Sequence, residues 1–233
     1  MPTHWRNRCG TIPVVCIKSM NRRSGKMKKS AFDDRAATWD DNPGRVLLAG
    51  KIGSAILEEI PVTAETTAMD FGCGTGLVSL KLAPALKSIT AVDGSAGMID
   101  VLERKLKTAG VDNIAALHLD VTRAALPRAS FDLIFSAMVL HHIADTAHLL
   151  AAFFEALKPG GRVALADLVT EDGSFHGNLP DVHHLGFDPD TLKREMEAAG
   201  FSAVTARVIH NIPKNSTEYP VFLMVGKKCV FVG

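Results

Sequence analysis

The stretch Asp70-Phe71-Gly72-Cys73-Gly74-Thr75-Gly76 decides the fold. It follows an apolar run, Thr66–Phe71, and leads into Leu77–Leu82, a short helix stopped by Pro84. A strand, a tight glycine turn and a helix in that order place a ligand crevice at the carboxyl end of the strand. Glycines let the backbone turn sharply and let a ligand approach it closely. The spacing argues against a dinucleotide. That fingerprint needs G-x-G-x-x-G, whereas the glycines here stand at 72, 74 and 76, with Leu at 77. Asp70 is also a poor neighbour for phosphates.

Working outward, Asn42-Pro43 reads as an N-cap followed by proline at the first helical position. A stripe from Val46 to Ile60 follows, stopped by Pro61. Further strands are expected at Ser88–Asp93, Asn113–Leu119, Phe131–Ser136 and Arg162–Leu168. Helices are expected at Ala96–Ala109, Thr146–Leu157 and Asp188–Ala199, with Lys158-Pro159-Gly160-Gly161 stopping the second of them. Ser202–Asn211 and Tyr219–Gly226 close the chain as strands with no helix between them, so they should pair antiparallel. The alternation predicts an α/β fold: a doubly wound, mostly parallel, Rossmann-like seven-stranded sheet with the last strand antiparallel.

The chain has 233 residues, 47% hydrophobic and 22% charged, which fits one globular α/β domain. Eight of the 26 Lys and Arg stand in residues 1–30, where there is no Asp or Glu. The rest carries 18 basic against 25 acidic residues, a net of −7. Residues 1–30 are therefore set apart as a basic, disordered extension, and 31–233 as a single domain. A mitochondrial presequence is the alternative reading of that head. The acidic domain disfavours nucleic acid as a partner. No apolar run is long enough to span a bilayer. Cys9, Cys16, Cys73 and Cys229 form no C-x-x-C pair, which favours a reducing, cytoplasmic setting over a disulfide scaffold or zinc ribbon.

Six stretches, in order, carry a resemblance. They are Met69–Gly76, Ala91-Val92-Asp93-Gly94-Ser95, Leu117-His118-Leu119-Asp120-Val121, Phe131–Ser136, Leu140-His141-His142-Ile143 and Leu157–Arg162. Together the chain resembles the small-molecule class I S-adenosylmethionine-dependent methyltransferases over roughly residues 40–226. The resemblance implies S-adenosyl-L-methionine as cofactor, held by Asp70, Gly72, Gly74, Gly76, Asp93, Gly94, Ser95, Met98, Asp120, Val121 and Ser136. The residue types suit that ligand. Asp93, 17 residues after Gly76, can accept both ribose hydroxyls, and Asp120 can accept the adenine amino group. Asp70 and Asp120 could instead be turn acids. Cys73 reads as a small filler.

Methyl transfer from a sulfonium is an in-line displacement with a good leaving group. Alignment and a dry site matter most, with a base only where the acceptor loses a proton. The segment facing the acceptor, Ser136-Ala137-Met138-Val139-Leu140-His141-His142, lacks the Asn/Asp-Pro-Pro-aromatic motif of amino-group enzymes. No cysteine is placed for 5-methylpyrimidine chemistry, and Ser136 replaces the acidic ligand of the magnesium catechol type. A small organic acceptor is the expectation, with quinones a minority option. Ala37–Pro43 and the stretches Glu171–His176 and Val182–Phe187 resemble segments of small-molecule methyltransferases.

Six of nine histidines lie between 141 and 184. His142, His176, His183 and His184 are the candidate catalytic residues, since imidazole titrates near neutrality. The competing reading is an ordered lid of hydrogen-bonded histidines. A metal site is the third reading, although the spacing matches no metal motif. His148 is expected to be a solvated helix residue. A nicotinamide dehydrogenase and a non-catalytic cofactor-binding module are the alternative functions.

Overall fold

The computed structural model describes residues 30–120, 126–177 and 181–229. Val121 and nearly all of the basic head lie outside the described residues. Seven strands form one sheet: β1 (Thr67–Phe71), β2 (Ser88–Asp93), β3 (Ile114–His118), β4 (Phe131–Ala137), β5 (Leu157–Leu168), β6 (Phe201–Lys214) and β7 (Thr217–Lys228). Their spatial order is β3-β2-β1-β4-β5-β7-β6. β7 runs antiparallel to both neighbours, and the other pairings are parallel. The order turns back between β1 and β4, which puts a crevice at their carboxyl ends.

The helices are α1 (Pro43–Glu59), α2 (Leu77–Leu82), α3 (Ala96–Ala109), α4 (Thr146–Ala156) and α5 (Pro189–Ala198). Their starts follow from local chemistry. Asn42, Ser95, Asp145 and Asp188 each accept a backbone N–H of the first turn of α1, α3, α4 and α5. The alternation of the strands then sorts the core. Leu133, Phe135, Ala164 and Leu223 pack with α1, α2 and α3 on one face. Ile134, Val163, Leu165 and Met224 pack with α4 and α5 on the other. No helix among the described residues is long and apolar enough to cross a membrane.

Three features differ from the sequence expectation. Lys158-Pro159-Gly160-Gly161 does end α4, but it also belongs to β5, with a register shift opposite Phe131 and Leu133. β6 and β7 run on to a two-residue turn, Asn215-Ser216, with φ of 50° and 64°. Two positive φ values match the right-handed twist of a hairpin, and Asn tolerates them. Asp33–Asp41 forms a 3-10 segment ahead of α1.

Candidate functional site

The glycine loop folds back against the end of β2. The amides of Gly72 and Cys73 both reach the Val92 carbonyl, at 2.9 and 3.0 Å. Asp93 accepts from the Gly74 amide at 2.7 Å and from the Ser95 amide at 2.8 Å. One carboxylate thus pins the loop to the start of α3. The three glycines, all at positive φ, serve different ends. A Cβ on Gly72 would fall 2.4 Å from Val139 Cγ2, so this glycine lets the β4 loop close on the β1 loop. A Cβ on Gly76 would fall 2.3 Å from Leu102 Cδ1, which makes it a packing glycine. A Cβ on Gly74 would meet nothing within 4 Å. Gly74 alone of the three faces open space.

Asp70 is buried at the end of β1 and accepts from the Ser79 hydroxyl at 2.6 Å. Burial, with repulsion from Asp93, pushes its carboxyl up to about 7. Burial also raises Asp93, although its two amide donors oppose the shift. A buried acid beside a second acid is suited to a ligand cation. Burial and both acids push the Cys73 thiol well up, which keeps it an un-ionised filler. Gly94 and Asp120 follow β2 and β3 on the same side of the sheet, and the His118 ring lies 3.2 Å from the Gly94 carbonyl.

Three expected ligand contacts are otherwise engaged. The Ser136 side chain is fully buried and donates to the Phe71 carbonyl at 2.8 Å, tying β4 to β1. The Ser95 hydroxyl caps α3 and donates to Asp33 at 2.6 Å. Met98 is buried in α3. The Ser95 and Ser136 hydroxyls therefore help to shape the crevice.

The 3-10 segment straps this region. Asp33 accepts from Ser95 and from the Gly97 amide at 3.0 Å. Burial works against its ionisation, but these bonds outweigh it and hold the carboxyl below its usual range. Asp40 accepts from the buried Thr75 hydroxyl at 2.6 Å and from Lys105 at 2.7 Å. Lys105 also holds the Thr75 carbonyl at 2.8 Å. Both walls of the crevice are thereby tied to one segment, and that segment carries Phe32 at its start. Phe32 meets His142 edge-on at 5.2 Å between centroids.

His142 begins a row of rings across the carboxyl ends of β4 and β5 and the amino end of β7. His142 and His141 lie 4.1 Å apart, and His141 and His176 lie 4.4 Å apart. His176 and Phe175 follow at 4.9 Å, then Phe175 and Tyr219 at 5.1 Å. His141 Nδ1 donates to Asp167 Oδ1 at 2.8 Å, and both side chains are buried. The His142 Nδ1 hydrogen goes to the Asp181 carbonyl, leaving Nε2 as its basic nitrogen. Burial and the neighbouring His141 lower His142, and the same causes lower His176 to about 4. Both are neutral at pH 7.

Two of the four candidate histidines fall away from this row. His183 is exposed, and its backbone amide, not its ring, reaches the His141 carbonyl. His184 donates Nε2–H to the Ile143 carbonyl at 2.9 Å and packs on Phe187. Those bonds hold the 181–187 segment in place, and the structure does not bring the His183 and His184 rings into the row with His142 and His176. His148 is exposed on α4. Among the described residues, no group of three His, Cys, Asp or Glu is placed to hold a metal ion. The sequence reading missed His141 as Asp167's partner, and it missed Asp167 and Asp33 altogether. An acid inside the apolar strand Val163–Leu168 was the available signal for Asp167, because a buried carboxylate needs a partner.

A family model described as a methyltransferase domain matches residues 68–161. An uncharacterised methyltransferase of Schizosaccharomyces pombe is 34% identical over 149 residues, covering 58% of this chain and 52% of its own length. The 27-O-demethylrifamycin SV methyltransferase of Amycolatopsis mediterranei is 29% identical, covering 66% and 56%. The chain thus spans about half the length of these curated relatives. Phosphoethanolamine N-methyltransferase 2 of Haemonchus contortus, solved with S-adenosyl-L-methionine, superposes with a TM-score of 0.68 at 16% identity, over 86% of this chain and 60% of that one.

Proposed function

The chain belongs to the class I S-adenosylmethionine-dependent methyltransferases, and we propose that it transfers a methyl group to a small organic acceptor. The observation that carries this reading is the glycine loop. Asp93 clamps it, and Gly74 presents bare backbone to open space at the switch point. A side chain there would fill the cradle a ligand needs. The cofactor supplies a methyl group on a positive sulfur with a neutral leaving group.

The chain's own residues supply the rest. The second lone pairs of Asp93 receive the ribose hydroxyls while the first hold the loop. Asp70 lies at the mouth of β1, where its charge pairs with the ammonium of the methionine end. Asp120 takes the adenine amino group. The strap Asp33–Asp41 and the ring row exclude water, which strengthens every polar contact inside. His142 and His176, both neutral, offer nitrogen atoms to an acceptor proton. 27-O-demethylrifamycin SV and, in a further relative, demethylmenaquinone are named as acceptors of similar enzymes. Both are small molecules, and the acidic balance of residues 31–233 points the same way.

Calorimetric titration tests the reading. S-adenosylhomocysteine should bind and raise the melting temperature, whereas NAD should do neither. Tight NAD binding without S-adenosyl binding would overturn it. Labelled cofactor that binds yet gives no methylated product from any small-molecule fraction would favour a binding module.

A further inference from the structure

The turn after β5 holds two buried polar atoms with no hydrogen-bond partner: Glu171 Oε1 and His176 Nε2. Nothing else of this kind is found among the described residues. Buried polar atoms are almost always satisfied, so a bare pair on one turn calls for an explanation. We infer that Glu171 and His176 are the receptor for a hydroxyl-bearing acceptor, which makes oxygen the atom methylated. This rests on the methyl-transfer reading above.

The turn is built to hold the pair. Glu171 Oε2 accepts from the amides of Gly173 at 2.7 Å and Phe175 at 3.0 Å. The carboxylate is locked by the turn it begins, and its other oxygen is left bare. His176 is fixed between His141 and Phe175 by ring contacts. An ionised carboxylate only accepts, and a neutral imidazole nitrogen can accept. With its proton on Nδ1, His176 presents Nε2 as an acceptor, and the two bare atoms are then completed by a ligand that brings two donors.

An ammonium could also donate twice, but the surroundings oppose it. Burial and the nearby His141 and His142 keep His176 from holding a proton above about pH 4, against the pull of Glu171 and Asp167. A site that strips the proton from an imidazolium disfavours a second cation. A pair of neighbouring hydroxyls brings two donors and no charge. As its oxygen bonds to the methyl carbon, sulfur keeps the electron pair of the broken carbon–sulfur bond. His176 Nε2 takes the hydroxyl proton and passes it to solvent. A weak base suffices, because a methylated hydroxyl is a far stronger acid than an imidazolium. The flanking rings of Phe32 and Phe175 suit an apolar, ring-like skeleton.

The test uses the full chain, 15N-labelled at histidine and loaded with S-adenosylhomocysteine. Catechol, benzene-1,2-diamine and o-xylene are matched ring probes. Catechol should move the His176 Nε2 resonance. Glu171→Gln, which keeps one oxygen for the Gly173 and Phe175 amides, should weaken catechol by roughly tenfold or more. If that variant does not fold, His176→Asn should lose catechol in its place. An equal response to o-xylene, a response to the diamine alone, or an unchanged catechol affinity in the variant would overturn the inference. Calorimetry on the same sample separates the two levels. Failure to load S-adenosylhomocysteine refutes the methyl-transfer reading, whereas loading without a catechol response refutes only the hydroxyl receptor.

Discussion

Gly74→Ala and Gly76→Ala should fail in opposite ways. Both positions have positive φ, 53° and 78°, so an alanine costs about 1–2 kcal/mol of backbone strain at either. There the likeness ends. At Gly76 the new methyl would sit 2.3 Å from Leu102 Cδ1, inside the core of α3. Overpacking adds about 1–3 kcal/mol. At Gly74 the methyl meets no protein atom within 4 Å. For a chain of this size, 1 kcal/mol moves Tm by about 2–4 °C. Gly74→Ala should therefore lower Tm by about 2–8 °C, and Gly76→Ala by roughly 4–20 °C. Affinity for S-adenosylhomocysteine should show the reverse order, with Gly74→Ala losing most because its methyl occupies the cradle. Thermal melts and calorimetric titrations of both variants give the four numbers. Wild-type affinity in Gly74→Ala would refute the placement of the cofactor over this loop.

Three further outcomes are expected. Asp93→Ala should weaken S-adenosylhomocysteine by roughly 1.5–3 kcal/mol, the loss of hydrogen bonds to a charged group, and unchanged calorimetric affinity would remove Asp93 from the ribose site. Asp70 holds its proton up to about pH 7 when folded but only to about 4 when unfolded; raising pH through that window removes up to about 4 kcal/mol of stability. Asp70→Asn carries no charge and keeps an oxygen for Ser79, so its Tm should exceed the parent's at pH 8 and match it at pH 4, and parallel curves would refute the buried acid. Deleting residues 1–26, which have no periodic apolar face, should leave Tm and cofactor affinity unchanged, whereas deleting through Asp41 also removes the Asp33 and Asp40 ties and should weaken binding.

Much of this fold is written in short-range signals. Asn42-Pro43, Gly110 and Asp188-Pro189 mark helix ends through contacts within four residues, and each marks an observed boundary, whereas the Ser95 cap was read as a ligand contact. The loop glycines were equally legible as turn formers, because positive φ is a local demand. What each glycine faces was not. Leu102 and Val139 lie 26 and 67 residues away in sequence, and only the assembled sheet brings them near. The same holds for the ring row. Its histidines were visible as a cluster, but Asp167, Phe32 and Tyr219 enter through tertiary packing alone. The hairpin turn Asn215-Ser216 escaped because it lacks the usual Asn-Gly pair.

The row from Phe32 to Tyr219 joins four stretches of chain nearly 190 residues apart in sequence, whereas the loop and its clamp lie between 70 and 98. Contacts that close long loops carry a larger entropic cost, and local opening of the hairpin that bears Tyr219 would break the last contact of the row. On the proposed function, selectivity for the acceptor thus hangs on contacts between distant stretches of chain, and retention of the cofactor on contacts within one short stretch. Partial unfolding from the β6–β7 edge would leave a chain that still holds its cofactor but no longer tells one acceptor from another.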